Sequence, residues 1–201
     1  MKKLAVVVIL FSALSSLKAQ ETPSIGISAG INVANMTFKA SGVSASFTSV
    51  IGFKGYVFYD LPLGSNFSLK NELGYDGMGT EIKDPNSGDK ATEAINYLTL
   101  SILPKYNVQQ TGLSFFAGPS LGFLLNAKST EGGQSASDTD GYNSIDLFGV
   151  VGAEYFFPMG LGITARYMGG LTNIAKGTTS DQSAHNSAFS FTLAYKFNSG
   201  K

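Results

Sequence analysis

The chain has 201 residues, no cysteine, and 14 basic against 14 acidic side chains, for a formal net charge of +0. That balance argues against nucleic acid as a partner, and the lack of cysteine excludes a disulfide framework. Its 24 glycines, 15 phenylalanines and 9 tyrosines suit closely packed strands better than helices.

Lys2 and Lys3 precede the apolar run Leu4–Phe11, and Ala19-Gln20 follows a short serine-containing stretch. This is the layout of an export signal, with cleavage expected after Ala19 and Leu17 standing three positions before the cut. The run is too short to span a bilayer as a helix. Residues 20–201 are then expected to form a single domain.

Strict alternation starts at Ile25, where Ile25, Ile27, Ala29, Ile31 and Val33 oppose Gly26, Ser28, Gly30 and Asn32. Thr37–Ser49 reads as a loop. A second strand sets Ile51, Phe53, Val57 and Tyr59 against Gly52, Lys54 and Tyr56, and Asp60–Asn66 reads as a compact turn. A third sets Phe67, Leu69, Leu73 and Tyr75 against Ser68, Lys70, Glu72 and Asp76. Glu81–Glu93 contains Asp84-Pro-Asn-Ser-Gly-Asp89, with strong turn chemistry. The fourth strand sets Leu98, Leu100, Ile102, Pro104, Tyr106 and Val108 against Tyr97, Thr99, Ser101 and Lys105. After Gln109–Gly112, the fifth sets Leu113, Phe115, Leu121, Phe123 and Leu125 against Ser114, Ser120, Gly122 and Asn126.

Lys128–Asn143 is the longest polar stretch. The sixth strand opposes Ile145, Leu147, Val151 and Tyr155 to Asp146, Gly152 and Glu154. Pro158–Gly160 turns the chain into a seventh, with Leu161, Ile163 and Tyr167 against Thr164 and Arg166. Thr172–Asn186 is another polar loop, and Phe189–Phe197 is the eighth strand, with five apolar residues on one face.

The connections alternate long and short. An up-and-down meander with its two ends in different compartments has this spacing, and spanning strands of a membrane barrel need about ten residues. Tyr59, Phe67, Tyr106, Phe115, Phe116, Tyr155, Phe156, Phe157, Tyr195 and Phe197 all flank the short-turn end, as an interfacial girdle would. A soluble lipocalin-like barrel is the structural rival. The residues oppose it: small side chains fill the polar face and bulky ones the apolar face, which suits lipid outside and a narrow interior. The expected fold is all-β, an eight-stranded antiparallel up-and-down transmembrane β-barrel with short periplasmic turns and longer outer loops. Its last strand should close on the first, leaving no edge.

With the polar face inward, Lys54, Lys70, Glu72, Asp76, Lys105, Asp146, Glu154, Arg166 and Lys196 enter the lumen. An unpaired charge there costs several kcal/mol, so partners are required. Folding the second strand onto the third about Leu63 brings Lys54 opposite Glu72. Folding the sixth onto the seventh about Gly160 brings Glu154 opposite Arg166. A salt-bridge network centred on Arg166 is expected, either as a plug or as a gate that admits ions; the narrow interior favours the plug.

Catalytic chemistry is sparse. His185 is the sole histidine, expected in a solvated outer loop beside Ser183, Ser187 and Asp181; a nucleophilic triad there is a weaker reading than a loop histidine. Asp84, Asn86 and Asp89, or Asp138 and Asp140, lack calcium-loop spacing. No cofactor, metal or catalytic residue is expected.

Tyr97-Leu-Thr-Leu-Ser-Ile-Leu-Pro-Lys-Tyr106, Phe116-Ala-Gly-Pro-Ser-Leu-Gly-Phe-Leu-Leu125, Ala165–Ile174 and Gly30–Asn35 together resemble the outer-membrane β-barrel family typified by PorT of the Bacteroidetes. The resemblance covers the mature chain. It implies a small porin-like barrel in the outer membrane of a Gram-negative bacterium, with lipid and the outer-membrane assembly machinery as partners and no catalytic motif. A structural or loop-mediated binding role follows first, and a small-solute channel or transport accessory second. A membrane-embedded hydrolase working through His185 is the third. The extracellular ligand is not specified.

Overall fold

The computed structural model describes residues 22–40, 43–83, 89–177 and 182–197. The expected export signal (Lys2, Lys3, Leu4–Phe11, Ala19), Asp84, Asn86, Asp181 and Asn198–Lys201 lie outside the described residues.

The strands are β1 (Ser24–Ala40), β2 (Val43–Ser46), β3 (Val50–Pro62), β4 (Phe67–Lys83), β5 (Lys90–Asn107), β6 (Leu113–Glu131), β7 (Gln134–Ser137), β8 (Ile145–Phe156), β9 (Leu161–Gly170) and β10 (Gln182–Lys196). Eight of them form a ring in the order β1-β3-β4-β5-β6-β8-β9-β10, and β10 pairs back onto β1 from Gly26↔Lys196 to Ala40↔Gln182. Every pairing is antiparallel. Short β2 and β7 only extend hairpins from β1 and β6. The closing strand is therefore fully paired, and the ring has no edge to expose.

The register fixes the tilt. One circuit runs from Gly26 through Phe58, Glu72, Ser101, Ser120, Phe148 and Gly170 to Asn186 and then Met36, ten residues further along β1. Such a stagger over eight strands tilts them by roughly 40° and leaves an interior that side chains just fill.

The outward face is the apolar one. Ile51 is 76% exposed, Leu193 70%, Phe53 59% and Phe189 58%, values a water-soluble sheet would not tolerate over its whole circumference. Tyr59, Phe67, Tyr106, Phe115, Tyr155, Phe157, Tyr195 and Phe197 face outward near the short turns, with ring pairs Phe67–Tyr106 at 5.3 Å, Tyr155–Phe157 at 4.9 Å and Tyr195–Phe197 at 5.6 Å. A second outward set near the other end, Phe53–Tyr75 at 6.2 Å and Tyr167–Phe189 at 4.9 Å, is absent from the sequence reading. Phe116 and Phe156 correct it: Phe116 is buried inside and Phe156 packs inward on Phe58 at 6.1 Å, because both fall on the inward phase of their strands.

The ring strands extend further than the alternation suggests. Four expected outer loops are partly strand: β1 continues to Ala40, β4 to Lys83, β6 to Glu131, and β10 begins at Gln182. At the short-turn end, Asp60 lies within β3 rather than in a turn. The tight loop instead starts after Pro62, closed by Leu63 N–H donating to the Phe67 carbonyl at 2.8 Å. That shifts the β3–β4 fold, so Lys54 faces Asp76 and Glu72 faces Phe58. A bulge at Leu125 separates Tyr97↔Leu124 from Asn96↔Asn126. Asn126 consequently points outward, against expectation, and accepts a hydrogen bond from Asn96 at 2.9 Å.

The outer third of the lumen is a packed apolar core. Met36, Met78, Ile95, Tyr97, Ala127, Phe148, Met168 and Ala184 line it, and Tyr142 and Ile174 come down from the outer connections to complete it. Tyr97 and Phe148 meet edge-on at 5.8 Å.

Candidate functional site: the charged lumen

Below that core the interior is ionic. Seven residues from six strands alternate in sign: Arg166, Glu72, Lys70, Glu154, Lys105, Asp60 and Lys196. Arg166 forks onto Glu72, Nη1 donating to Oε2 at 2.6 Å and Nη2 to Oε1 at 2.9 Å. Such bidentate pairs are the strongest and most directional ion pairs available. Lys70 lies 3.6 Å from Glu72 and bonds Glu154. Lys105 donates to Glu154 Oε1 at 2.9 Å and to Asp60 Oδ2 at 2.5 Å, and Lys196 ends the chain 3.2 Å from Asp60.

Aromatic faces cover the cations. Lys70 Nζ sits 4.4 Å from the Phe58 centroid, Arg166 4.7 Å from Tyr56, and Lys196 3.9 Å from Phe156. Tyr56 OH also accepts a bond from Arg166 Nη2 at 2.5 Å. Glycine makes the room: a Cβ on Gly152 would lie 2.5 Å from the Phe116 ring and 2.8 Å from Arg166 Cβ.

Lys54 and Asp76 form a separate pair at 2.5 Å. Asn32 and Thr99 donate to the Asp76 oxygens at 3.0 and 2.7 Å, and Ser190 donates to Asn32 at 2.6 Å. Asp146 sits higher, accepting from Thr172 at 2.6 Å and Asn186 at 3.4 Å.

The structure thus brings Lys54, Lys70, Glu72, Lys105, Glu154, Arg166 and Lys196 into the lumen but pairs them differently from the sequence reading. Lys54 does not meet Glu72, because the turn sits two residues later. Arg166 does not pair with Glu154, because its register partner is Gly152 and its guanidinium reaches across the barrel. Glu154, not Arg166, is the middle of the chain. Asp60 joins the network although the turn signal of the Leu-Pro-Leu-Gly that follows it sets it in a loop; its parity with Lys54 and Tyr56 is the clue to its inward face.

His185 lies in β10 opposite Thr37, half-buried, rather than in a loop; its Nδ1 has no hydrogen-bond partner. At the outer end, Tyr142 OH donates to Glu93 at 3.4 Å. Burial pushes the Tyr142 phenol well above its ordinary value, and the Glu93 carboxylate adds to the shift. Among the described residues no three His, Cys, Asp or Glu side chains gather as metal ligands, and no helix is long and apolar enough to cross a membrane; the crossing is by strands.

A family model described as "Outer membrane protein beta-barrel domain" matches residues 18–176. The chain belongs to this outer-membrane β-barrel family. Solved structures that share its fold include these two. Ail, the attachment invasion locus protein of Yersinia pestis, is 17% identical, with a TM-score of 0.50 over 88% of this chain and 100% of that one. Neisserial surface protein A is 14% identical, with a TM-score of 0.55 over 88% and 100%. A comparison with curated proteins gave no match. The family places the barrel in the outer membrane, and the exposed apolar face is accordingly its lipid face.

Proposed function

We propose that this outer-membrane barrel is a closed, non-catalytic protein of the PorT-like group, with a structural role or one of binding through its outer connections. Export by a signal cleaved after Ala19, leaving a mature domain of residues 20–201, and insertion by the outer-membrane assembly machinery through the closing strand belong to the same reading. The lumen ions act as an ordering plug, and the outward aromatics near the short turns anchor the barrel at the membrane interface.

The observation that carries this reading is the apolar core across the outer lumen, in which Ile174 and Met36, with relative exposures of 0% and 7%, sit above a layer of linked ion pairs. A conducting path would have to cross both. Strands that run past the lipid face raise the outer connections into water, which supports contact with extracellular partners. Planar-bilayer recording tests the reading: the wild-type barrel is expected to give no discrete conductance steps. Steps that change in Arg166→Ala would replace it with the small-solute channel. Labelling by an activity-based serine probe that disappears in His185→Ala would replace it with a hydrolase.

A further inference from the structure

The alternating chain of lumen ions is odd-membered. Four cations and three carboxylates alternate, and both ends are cations. The excess positive charge at the inner end is stabilised by Tyr56 beside Arg166. At the other end Lys196 shares Asp60 with Lys105, so it has only part of one carboxylate.

Lys196 is also the lumen cation that reaches water. Its side chain is 20% exposed, whereas those of Lys54, Lys70, Lys105 and Arg166 are 3% or less. It opens onto a cavity of about 430 Å³ at the short-turn mouth. Asn107, Gln109, Gln110, Ser65 and Ser114 supply amide and hydroxyl groups to the wall, and no carboxylate lines it. Gln110 stands in the left-handed region at φ 63°, the one non-glycine residue to do so among those described, which holds the β5–β6 turn at the rim.

We propose that this vestibule binds a phosphate-class oxyanion on Lys196. A cation that only shares its carboxylate, at the edge of a low-dielectric interior, attracts an anion more strongly than one in water. Amide and hydroxyl groups around one ammonium suit an ion with several oxygens, with Asn107, Gln109 and Ser114 turning to it from their present acceptors Ser68, Asn66 and Asn107. The apolar core seals the opposite end, so the site is a blind cup open to the periplasmic side. The phosphate can be free or the headgroup of an inner-leaflet lipid.

The test uses the full barrel refolded in maltoside micelles and titrated with inorganic phosphate at constant pH and ionic strength. The backbone amide of Gln110 and the side-chain amides of Asn107 and Gln109 are followed by NMR. Saturable shifts are expected in the wild type. Lys196→Gln should weaken the apparent affinity about ten-fold, the usual scale for losing one charge-assisted contact. Gln110→Glu sets a carboxylate at the rim without touching the ionic chain, so it should also weaken binding, and it carries the test if Lys196→Gln fails to fold. Lys128→Gln, at the outer end, should bind as the wild type does. A second arm adds phosphatidylglycerol with no free phosphate; saturation there as well identifies the headgroup as a source. Shifts that rise without saturating in both arms, or affinities unchanged in both vestibule variants, would overturn the proposal.

Discussion

The two halves of the lumen obey opposite rules. Toward the short turns the interior is ionic, and the strands outside it present Ile27, Val57, Leu193 and Ile163, all 47% exposed or more. Toward the outer connections the interior is Met78, Ile95, Ala127 and Ile174, and the strands outside present Asn35, Thr37, Lys39, Asn96 and Lys128. Polarity inside is the inverse of the solvent outside. In lipid, burial of apolar groups gives no net driving force, so the interior can be held by charge pairs and the backbone ladder. In water the same ladder needs an apolar core.

That contrast can be broken most severely at the seam. Deleting Ser190–Phe197 removes the strand that both halves share, and it should abolish the heat-modifiable folded band on unboiled gels. Recovery of an inserted, protease-resistant truncation would show that β10 is dispensable for closure.

Within the ionic half, Glu154→Ala leaves Lys70 and Lys105 without their shared carboxylate. A loss of about 3–5 kcal/mol is expected from urea unfolding in vesicles, the range for breaking a buried pair on one side. In the apolar half, Ile174→Ala should cost about 2–5 kcal/mol through transfer and cavity terms. The two should differ in kind as well, since only the Glu154 variant leaves buried charge uncompensated. Equal costs on adding a hydrophobic isostere such as Glu154→Leu and on Ile174→Ala would blur the distinction.

The smallest effect is expected at Tyr142. Its phenol titrates above its ordinary value in the folded barrel, so the neutral form is favoured by folding. The corresponding stability is fully present below about pH 10, the unperturbed phenol value, and is lost as pH rises toward the raised one. Tyr142→Phe should flatten that alkaline loss while changing stability at neutral pH by about 1 kcal/mol or less. An unchanged alkaline limb would assign the titration to another group.

Much of the lipid-embedded part was legible from sequence, since period-two alternation with bulky residues on one face is a local signal. Strand order, closure and the inward faces of β3, β4, β5 and β9 followed from it. The ion partners did not, because a two-residue error in one turn moves every cross-strand pair by four positions, and pairs such as Arg166–Glu72 join strands that are not neighbours. The outer ends read as loops in the sequence because their residues are polar. Their core is made of single residues delivered by distant segments, such as Tyr142 beside its bridge to Ala175, which no local period marks.

The extra residue at Leu125 resets the phase of β6. Up to Phe123 the odd positions meet lipid; from Asn126 onward the even positions face out and Ala127 turns in. One inserted residue thus lets a single strand cross from one solvent to another, switching its hydropathy code at the boundary without breaking the ladder. Flattening the bulge with Leu125 kept in the ladder would carry the lipid-side phase into the aqueous end, placing Lys128 against the apolar core and Ala127 in water, whereas deleting Leu125 straightens the strand and leaves both on their present faces.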